Sequence, residues 1–230
     1  MDGSAQISTD TIKARGVALP LSAAIPGRIR GALKRGEYDA PLARAALDTG
    51  QAGDIVVDLG AGLGFTSALM TRRGKAAEVH AFEPQTELAD IIREVHRLNN
   101  VTGSVTEATL GKRKGKADLH VGSHLLRASL AFDPGQETCP QSIDVLNAKT
   151  TLKSLKASLL ICDIGGAEAA VLPDLDLSAL RAVIVRLHPK LIGADGVREV
   201  FSCAQEAGLA YNPGASNGKI VSFVRDWPTA

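Results

Sequence analysis

The feature that most constrains this chain is a glycine-rich turn that directly follows an apolar run. Residues 54–59 form a continuous apolar stretch, as expected for a central parallel strand that is covered on both faces. Gly60, Gly62 and Gly64 come next, and residues 65–73 then have the pattern of a helix. A strand that passes through glycines into a helix is typical of doubly wound α/β sheets, which bind ligands beyond the carboxyl ends of their strands.

The spacing of the glycines distinguishes between classes of ligand. A dinucleotide-binding turn reads G-x-G-x-x-G, which would place its third glycine at position 65, where this chain has Phe65. The pattern here is G-x-G-x-G, and Asp58 stands two residues before it. The sequence therefore disfavours pyrophosphate binding. Asp58 is expected to hold the turn or to bind the amino group of an amino-acid moiety.

An acidic residue at the end of the next strand strengthens the prediction of a nucleoside site. Residues 76–82 alternate as a strand does, and Glu83 follows them, 19 residues beyond Gly64. A carboxylate at about this distance can accept hydrogen bonds from both hydroxyl groups of a ribose. Thr66 and Ser67, at the start of the helix, can satisfy free backbone donors or a carboxylate. A plain tight turn and a solvated strand-end acid are the structural alternatives.

The remaining pattern predicts the fold class. Further strands are expected at residues 101–108, 158–164 and 182–187, with helices between them, and residues 209–212 and 220–225 are expected to pair as antiparallel strands. We therefore predict an α/β, Rossmann-like doubly wound fold. It has a mostly parallel seven-stranded sheet, helices on both faces and an antiparallel C-terminal strand pair. Residues 122–148 are rich in turn formers and are predicted to be a surface excursion.

The sequence divides into two predicted parts. Residues 1–50 contain two helix-like segments and form an α-rich N-terminal extension, which is a candidate lid over the acceptor pocket. Residues 51–230 form the ligand-binding domain. Basic residues of the extension (Arg28, Arg30, Lys34 and Arg35) either contribute to that lid or form a solvated helix face.

Composition excludes several classes of protein and partner. The 26 Lys and Arg residues nearly cancel the 25 Asp and Glu residues, so the chain has no overall field that attracts a polyanion. Aromatic residues make up only 3%, which further disfavours a nucleic-acid partner. No apolar stretch approaches the length of a membrane span. We expect a cytoplasmic protein without membrane contact, and a homodimer is left open.

Neither the cysteines nor the other potential ligands predict a metal or a disulfide framework. The three cysteines are widely spaced and odd in number: Cys139, Cys162 and Cys203. This pattern indicates reduced thiols rather than a disulfide framework or a metal knuckle. Four residues are candidate ligands for a divalent metal: His124, Asp163, Glu168 and His188. They lack diagnostic spacing, so no metal is expected.

Two sets of motifs resemble a known family. Residues 57–64 (VDLGAGLG) and 81–84 (AFEP) resemble the class I S-adenosylmethionine-dependent methyltransferases. Residues 162–168 (CDIGGAE), residues 150–155 (TTLKSL) and residues 186–189 (RLHP) are similar to motifs of the FkbM-type branch of that superfamily. Together with the segments between them, these motifs extend the resemblance over about residues 50–226.

The resemblance implies S-adenosylmethionine as the cofactor and S-adenosylhomocysteine as the product. The residues expected to bind the cofactor are Asp58, Gly60, Ala61, Gly62, Gly64, Phe65, Thr66, Glu83, Pro84, Glu107 and Ala108. Of these, Glu107 and Ala108 close the third predicted strand and are expected to border the adenine. The implied activity is O-methylation of a small-molecule or sugar hydroxyl.

Two positions depart from the FkbM pattern. The family typically has Glu where this chain has Gly165, and Glu where it has Arg186. Both positions lie at carboxyl ends of predicted strands, facing the acceptor. Replacing an acid with a cation changes the local charge by two, so either the substrate differs, for example by carrying its own negative charge, or methyl transfer is impaired.

Methyl transfer to a hydroxyl benefits from a base near the acceptor's proton. Asp163 and His188 are the predicted catalytic residues, because both follow strands on the ligand side. Ser129, Glu168 and Arg186 are predicted to lie on the substrate side, Ser129 because FkbM-like chains often carry Ser-Leu there. The structural alternatives are helix capping for Asp163, an ordinary buried histidine for His188 and helix N-terminal stabilisation for Glu168.

The sequence thus favours an S-adenosylmethionine-dependent methyltransferase that acts on a small-molecule acceptor. The first alternative is a catalytically silent domain that binds the cofactor and serves in regulation or assembly, which the residues at positions 165 and 186 motivate. A weaker alternative is an RNA methyltransferase, supported only by the basic residues of 112–116 and of the N-terminal helix.

Overall fold

The computed structural model describes residues 10–22, 25–122, 126, 128–130 and 137–227. The strands are β1 (Thr11–Ala14), β2 (Val17–Pro20), β3 (Ile55–Leu59), β4 (Glu78–Phe82), β5 (Val105–Thr106), β6 (Thr109–Gly111), β7 (Gly115–Val121), β8 (Ala128–Ser129), β9 (Cys139–Asn147), β10 (Leu159–Cys162), β11 (Ala182–Arg186), β12 (Ala210–Tyr211) and β13 (Ile220–Val224). The helices are α1 (Gly27–Lys34), α2 (Ala40–Thr49), α3 (Phe65–Arg72), α4 (Thr86–Asn99), α5 (Ala148–Leu155), α6 (Glu168–Val171) and α7 (Pro189–Glu206). No helix in these ranges is long and apolar enough to cross a bilayer.

Seven strands form the main sheet, in the order β12-β13-β11-β10-β3-β4-β5. The pairs from β11 to β5 are parallel, whereas β13 runs antiparallel to both β11 and β12. The prediction of a Rossmann-like, mostly parallel seven-stranded sheet with an antiparallel C-terminal pair is confirmed. Because β3 and β10 are neighbours in the middle, their carboxyl ends meet at the centre of one edge of the sheet.

Helices cover both faces of this sheet, as predicted. Side chains alternate along each strand, so Val56 and Leu159 point to one face while Val57 and Leu160 point to the other. The first face packs against α2, α3 and α4, and the second against α5, α6 and α7. The central strands are therefore buried on both sides, which explains their continuous apolar runs.

A second, four-stranded sheet corrects the prediction for the middle of the chain. Its strand order is β6-β9-β7-β8, and β9 lies within the stretch expected to be a surface excursion. This strand was missed because its side chains are mostly exposed and Ile143 is its one fully buried residue, so it lacks an alternating apolar pattern. The third predicted strand, residues 101–108, is shortened to β5, and the chain enters the second sheet directly after Ala108.

The described part of the N-terminal segment is a β-hairpin followed by α1 and α2, and these two helices coincide with its two predicted helix-like segments. The hairpin of β1 and β2 packs its apolar side chains, such as Val17 and Leu19, against α3 and α4. Helix α2 packs on the main sheet itself, with Leu42 and Ala46 in the same cluster as Val56. The division of the chain at residue 50 stays a prediction.

A close backbone contact explains the first glycine of the turn. Gly60 has a φ of +83°, and a Cβ atom built on it would lie 2.1 Å from the carbonyl oxygen of Asp163. The Asp163 N–H in turn donates to the Leu59 carbonyl oxygen at 2.9 Å. Only glycine allows the turn after β3 to approach the end of β10 this closely.

Replacing this glycine tests the contact. We expect Gly60→Ala to lower the free energy of unfolding by about 3 kcal/mol or more, because it combines an unfavourable φ with a backbone collision. Gly53→Ala is the matched control, since Gly53 has a φ of +86° and no atom within 4 Å of the added Cβ. It should cost only about 1 kcal/mol in urea denaturation. Equal losses in the two variants would contradict the assigned contact.

Candidate active site

A cavity of about 560 Å³ lies at the carboxyl edge of the main sheet. This volume is within the usual range for small-molecule sites. Its wall combines the glycine turn, the ends of β4, β10 and β11, the strand β8 and the segment from α1 to the start of α2. The predicted lid segment thus contributes Arg28, Ile29, Tyr38 and Asp39 to the wall. Its closure over a ligand stays a prediction.

Glu83 connects the two turns that form one end of the cavity. Its carboxylate accepts hydrogen bonds from the backbone N–H of Gly62 at 3.0 Å and of Gln85 at 3.2 Å. The residue is only 5% exposed but lies on the cavity wall. Burial raises the pKa of the Glu83 carboxyl to about 7, although the two backbone N–H groups oppose this rise. The carboxylate therefore has unused acceptor capacity facing the cavity.

Asp58 is the second buried acid at this end. It lies one residue before the end of β3 and accepts a hydrogen bond from the Ser67 hydroxyl at 2.6 Å. Burial raises the pKa of its carboxyl to about 7, and the hydrogen bond from Ser67 partly offsets that rise. Both carboxyls therefore change charge near neutral pH. A hydrogen-bonding or cationic ligand group would stabilise their ionised forms.

The start of α3 shows why Phe65 takes the place of a third glycine. Phe65 is buried, and its ring packs edge-on against Tyr38 with the ring centroids 5.5 Å apart. Both residues line the cavity, as does Thr66. An apolar wall therefore stands where a dinucleotide-binding turn keeps the helix N-terminus open to a pyrophosphate.

Arg186 joins two carboxylates on the opposite side of the cavity. Its Nε donates to Asp163 Oδ2 at 2.8 Å, and its Nη2 donates to Asp39 Oδ1. Burial by itself lowers the pKa of the guanidinium, but the two carboxylates outweigh burial and raise the pKa overall. Burial raises the pKa of the Asp163 carboxyl, and Arg186 opposes this rise. The guanidinium charge is thus matched by two acids of the chain itself, so Arg186 adds no excess positive charge to this wall.

His188 stands beside these groups and is held from behind by Glu168. The Glu168 Oε1 atom accepts from the His188 backbone N–H at 2.6 Å and lies 3.3 Å from the imidazole Nδ1. The imidazole Nε2 lies 4.0 Å from Asp163 Oδ1. Burial of Glu168 by itself raises its pKa, but the hydrogen bonds from His188 outweigh it, and the pKa is lowered overall.

Position 165 adopts a backbone conformation that suits glycine. Gly165 has a φ of +62°, and a Cβ built on it would lie 2.8 Å from the Ala128 carbonyl oxygen. Its own carbonyl oxygen accepts a hydrogen bond from the Ser129 hydroxyl at 2.5 Å. The glutamate that FkbM-type chains typically have at this place is therefore incompatible with the local backbone, and β8 occupies the adjoining space.

Most of the predicted site residues meet at this cavity. Those that line it are Asp58, Gly60, Ala61, Gly62, Phe65, Thr66, Glu83, Pro84, Ser129, Asp163, Arg186 and His188. Four predicted residues are not on its wall: Gly64, Glu107, Ala108 and Glu168. Gly64 directly precedes α3, and Glu107 is held on the surface by Arg93 and Thr86. Glu107 is thus engaged with two residues of the chain itself, and its expected place beside the adenine stays a prediction.

Sequence reasoning missed Asp39, Tyr38 and Gln85. Asp39 directly precedes α2, and such a position predicts a helix cap. In the structure its side chain makes no capping bond and pairs with Arg186 instead, with the backbone in the left-handed region. The partner lies 147 residues away along the chain. No local pattern carries that information.

Metal ligation is not supported by the described residues. Across residues 10–22, 25–122, 126, 128–130 and 137–227, no group of three or more His, Cys, Asp or Glu side chains is arranged to hold an ion. His124, one of the four candidate ligands, lies outside these ranges. The expectation of a metal-free site stays a prediction.

The solved structures that resemble this chain share little sequence with it. No family model matches the chain, and no curated protein matches it either. Among solved structures, M. jannaschii TYW2 in complex with AdoMet is 14% identical, with a TM-score of 0.49 over 93% of this chain and 82% of that one. A precorrin-6y C5,15-methyltransferase from Geobacter metallireducens GS-15 is 12% identical, with a TM-score of 0.48 over 82% and 89% of the two chains.

A TehB-like SAM-dependent methyltransferase from Corynebacterium glutamicum is 11% identical, with a TM-score of 0.48 over 86% of this chain and 95% of that one. At such identities, and at TM-scores below 0.5, these likenesses do not determine what this chain binds. We therefore infer the ligand from the cavity and its residues.

Proposed function

We propose that this chain is an S-adenosylmethionine-dependent methyltransferase that methylates a hydroxyl group of a small molecule or sugar. The observation that carries the proposal is the buried Glu83 carboxylate, which is bonded to the Gly62 N–H and open to the cavity. The resemblance of the glycine turn to class I methyltransferases supports the same cofactor.

The acids at the glycine turn match the polar groups of the cofactor. Glu83 can accept hydrogen bonds from the two ribose hydroxyls, which would compensate the burial that raises the pKa of its carboxyl to about 7. Asp58 can pair with the ammonium of the methionine part, since it is a buried carboxyl with a single hydroxyl partner, Ser67. The apolar side chains of Phe65 and Leu88 offer the adenine a nonpolar wall.

The opposite wall supplies groups for an acceptor hydroxyl. When bound, S-adenosylmethionine supplies an electrophilic methyl group, so the protein's task is to align the acceptor's lone pair and take its proton. Asp163 and His188 are titratable groups that line this wall, and Ser129 lines it as well. Tyr38 and Ile164 add apolar surface. Such a mixture of polar and apolar groups suits a small neutral acceptor.

The charge around Arg186 bears on the acceptor's identity. A free cation at this position would favour an acceptor with its own negative charge. Arg186, however, is paired with both Asp39 and Asp163, so its charge is already more than balanced. We therefore favour an uncharged hydroxyl acceptor over an anionic one.

A catalytically silent cofactor-binding domain is the second candidate. It is favoured by the same pairing, because Arg186 occupies one oxygen of Asp163 and removes it from the acceptor's reach. An RNA acceptor has weaker support. The basic residues of 112–116 lie at the exposed tip between β6 and β7, and none of them is among the cavity's described lining residues.

Cofactor binding is the first test. Isothermal titration calorimetry with S-adenosylmethionine and S-adenosylhomocysteine should show binding of both by the wild type. Glu83→Gln should weaken it about 10- to 100-fold, as expected for a lost charged hydrogen-bond acceptor. Glu87→Gln, the same change at an exposed position of α4, is the matched control and should leave affinity unchanged.

The pH dependence of binding follows from the same acids. Because the pKa values of Asp58 and Glu83 are raised to about 7, both carboxyls are mostly neutral at pH 6 and mostly ionised at pH 8. The ionised forms are the stronger acceptors, so affinity should rise between these pH values. The absence of binding to either ligand at pH 8 would refute the proposed function.

Methyl transfer separates the two leading candidates. With methyl-labelled S-adenosylmethionine and a panel of sugar and phenolic hydroxyl acceptors, the wild type should label at least one acceptor. The silent domain becomes the better account if the wild type labels none while Arg186→Glu, which restores the acid typical of the FkbM-type branch, labels one. Arg181→Gln, which breaks a buried ion pair with Asp54 away from the cavity, controls for general loss of stability.

A further inference from the structure

Glu168 is the most completely buried acid at the carboxyl edge of the sheet, with no exposed surface. Glu168 lies behind the cavity wall, where its carboxylate has three hydrogen-bonding contacts. Its Oε2 accepts from the Gly166 N–H at 2.9 Å, and its Oε1 faces both the backbone N–H and the Nδ1 of His188. An ionised carboxylate has no hydrogen to donate, so every one of these contacts requires a donor on the other side.

This arrangement determines which imidazole nitrogen carries the proton. The Nδ1 atom of His188 lies 3.3 Å from Glu168 Oε1, so Nδ1 carries the hydrogen whenever the ring is neutral. The other nitrogen, Nε2, then holds the lone pair. Free histidine in water favours the opposite tautomer, with the hydrogen on Nε2. Glu168 therefore changes what His188 presents to the cavity.

The groups around Nε2 leave it available. Asp163 Oδ1 lies 4.0 Å from Nε2, beyond hydrogen-bonding distance. The other oxygen of Asp163 is held by Arg186 at 2.8 Å, and Arg186 is held in turn by Asp39. The His188 side chain is 27% exposed, and the residue lines the cavity. Asp163 is thus placed to stabilise an imidazolium ring at His188. Because Arg186 holds one of its oxygens, Asp163 is itself a weaker candidate for the base.

We infer that Glu168 is a positioning residue that keeps the His188 proton on Nδ1, so that Nε2 is the proton-accepting atom of the cavity. The inference rests on the proposed function for its chemistry. As the acceptor oxygen bonds to the methyl carbon, the carbon–sulfur bond breaks with its electron pair left on sulfur, and the hydroxyl proton passes to Nε2. His188 becomes an imidazolium ring between the carboxylates of Glu168 and Asp163.

Nitrogen-15 NMR of the imidazole rings tests this inference on the full chain without cofactor. At pH 8, the wild type should show His188 with a protonated Nδ1 and an unprotonated Nε2, in an excess of about tenfold or more over the other tautomer. His188→Gln identifies the signals by removing them. A wild-type ring with its hydrogen on Nε2 would overturn the inference.

Variants separate positioning from a merely structural role. Glu168→Ala should allow the Nε2–H tautomer to become the major form, whereas Glu168→Gln, which keeps a side-chain oxygen, should retain the Nδ1–H form. Asp163→Asn should leave the tautomer unchanged, because Asp163 does not hydrogen-bond the ring. His80, whose ring contacts Ser104 and Glu78 elsewhere in the fold, is the internal control and should keep its signals in every variant.

Each result bears on the inference directly. An Nδ1–H ring that persists in a folded Glu168→Ala variant shows that Glu168 does not set the tautomer and contradicts the inference. Changes at His80 together with His188 would indicate general unfolding, and the wild-type measurement then decides alone. Because the tautomer is measured without cofactor, a failure here is distinguishable from a failure of cofactor binding in calorimetry.

Discussion

Burial of like charges at one edge of the sheet is the constraint on which the site depends. Parallel strands bring Asp58, Glu83, Asp163 and the more deeply buried Glu168 to the same edge, in a region largely shielded from water. Uncompensated charges are costly there, so each carboxyl has hydrogen-bond donors as partners and a shifted pKa. The chemical nature of the partners differs from one acid to the next.

The partners of these acids differ between the two sides of the cavity. At the glycine turn, Asp58 and Glu83 have neutral partners, a hydroxyl and backbone N–H groups, and burial raises their pKa values to about 7. On the opposite side, Asp163 has a guanidinium partner and Glu168 an imidazole. The first pair therefore retains the capacity to bind a ligand's polar groups, whereas the second pair is engaged with residues of the chain itself.

The N-terminal segment is part of this charge arrangement. Asp39 precedes α2, which packs on the main sheet, and it holds the far end of the Arg186 guanidinium. The orientation of Arg186 at the cavity thus depends on residues that lie outside the predicted ligand-binding domain. Losing one partner of such a buried ion network generally costs several kcal/mol, because the remaining charge is left unpaired.

The sequence was sufficient to predict the sheet, because its strands are buried on both faces and its turns carry glycine at fixed spacing. It also predicted that Asp58, Glu83, Asp163 and His188 lie at one edge, since each stands within two residues of the carboxyl end of a strand. Exposed β9 escaped detection for lack of an apolar pattern. Pairings such as that of Asp39 with Arg186 depend on chain folding over long separations, which no local pattern records.

The central claim is that Glu83 and the glycine turn hold S-adenosylmethionine at the carboxyl edge. The most direct measurement is a titration of nitrogen-15-labelled protein with S-adenosylhomocysteine, followed through backbone amide signals. Gly62 and Gln85, whose N–H groups donate to Glu83, should shift together and saturate, while Gly53, at the opposite end of β3, should not move. A titration that leaves the Gly62 and Gln85 signals in place would contradict this account.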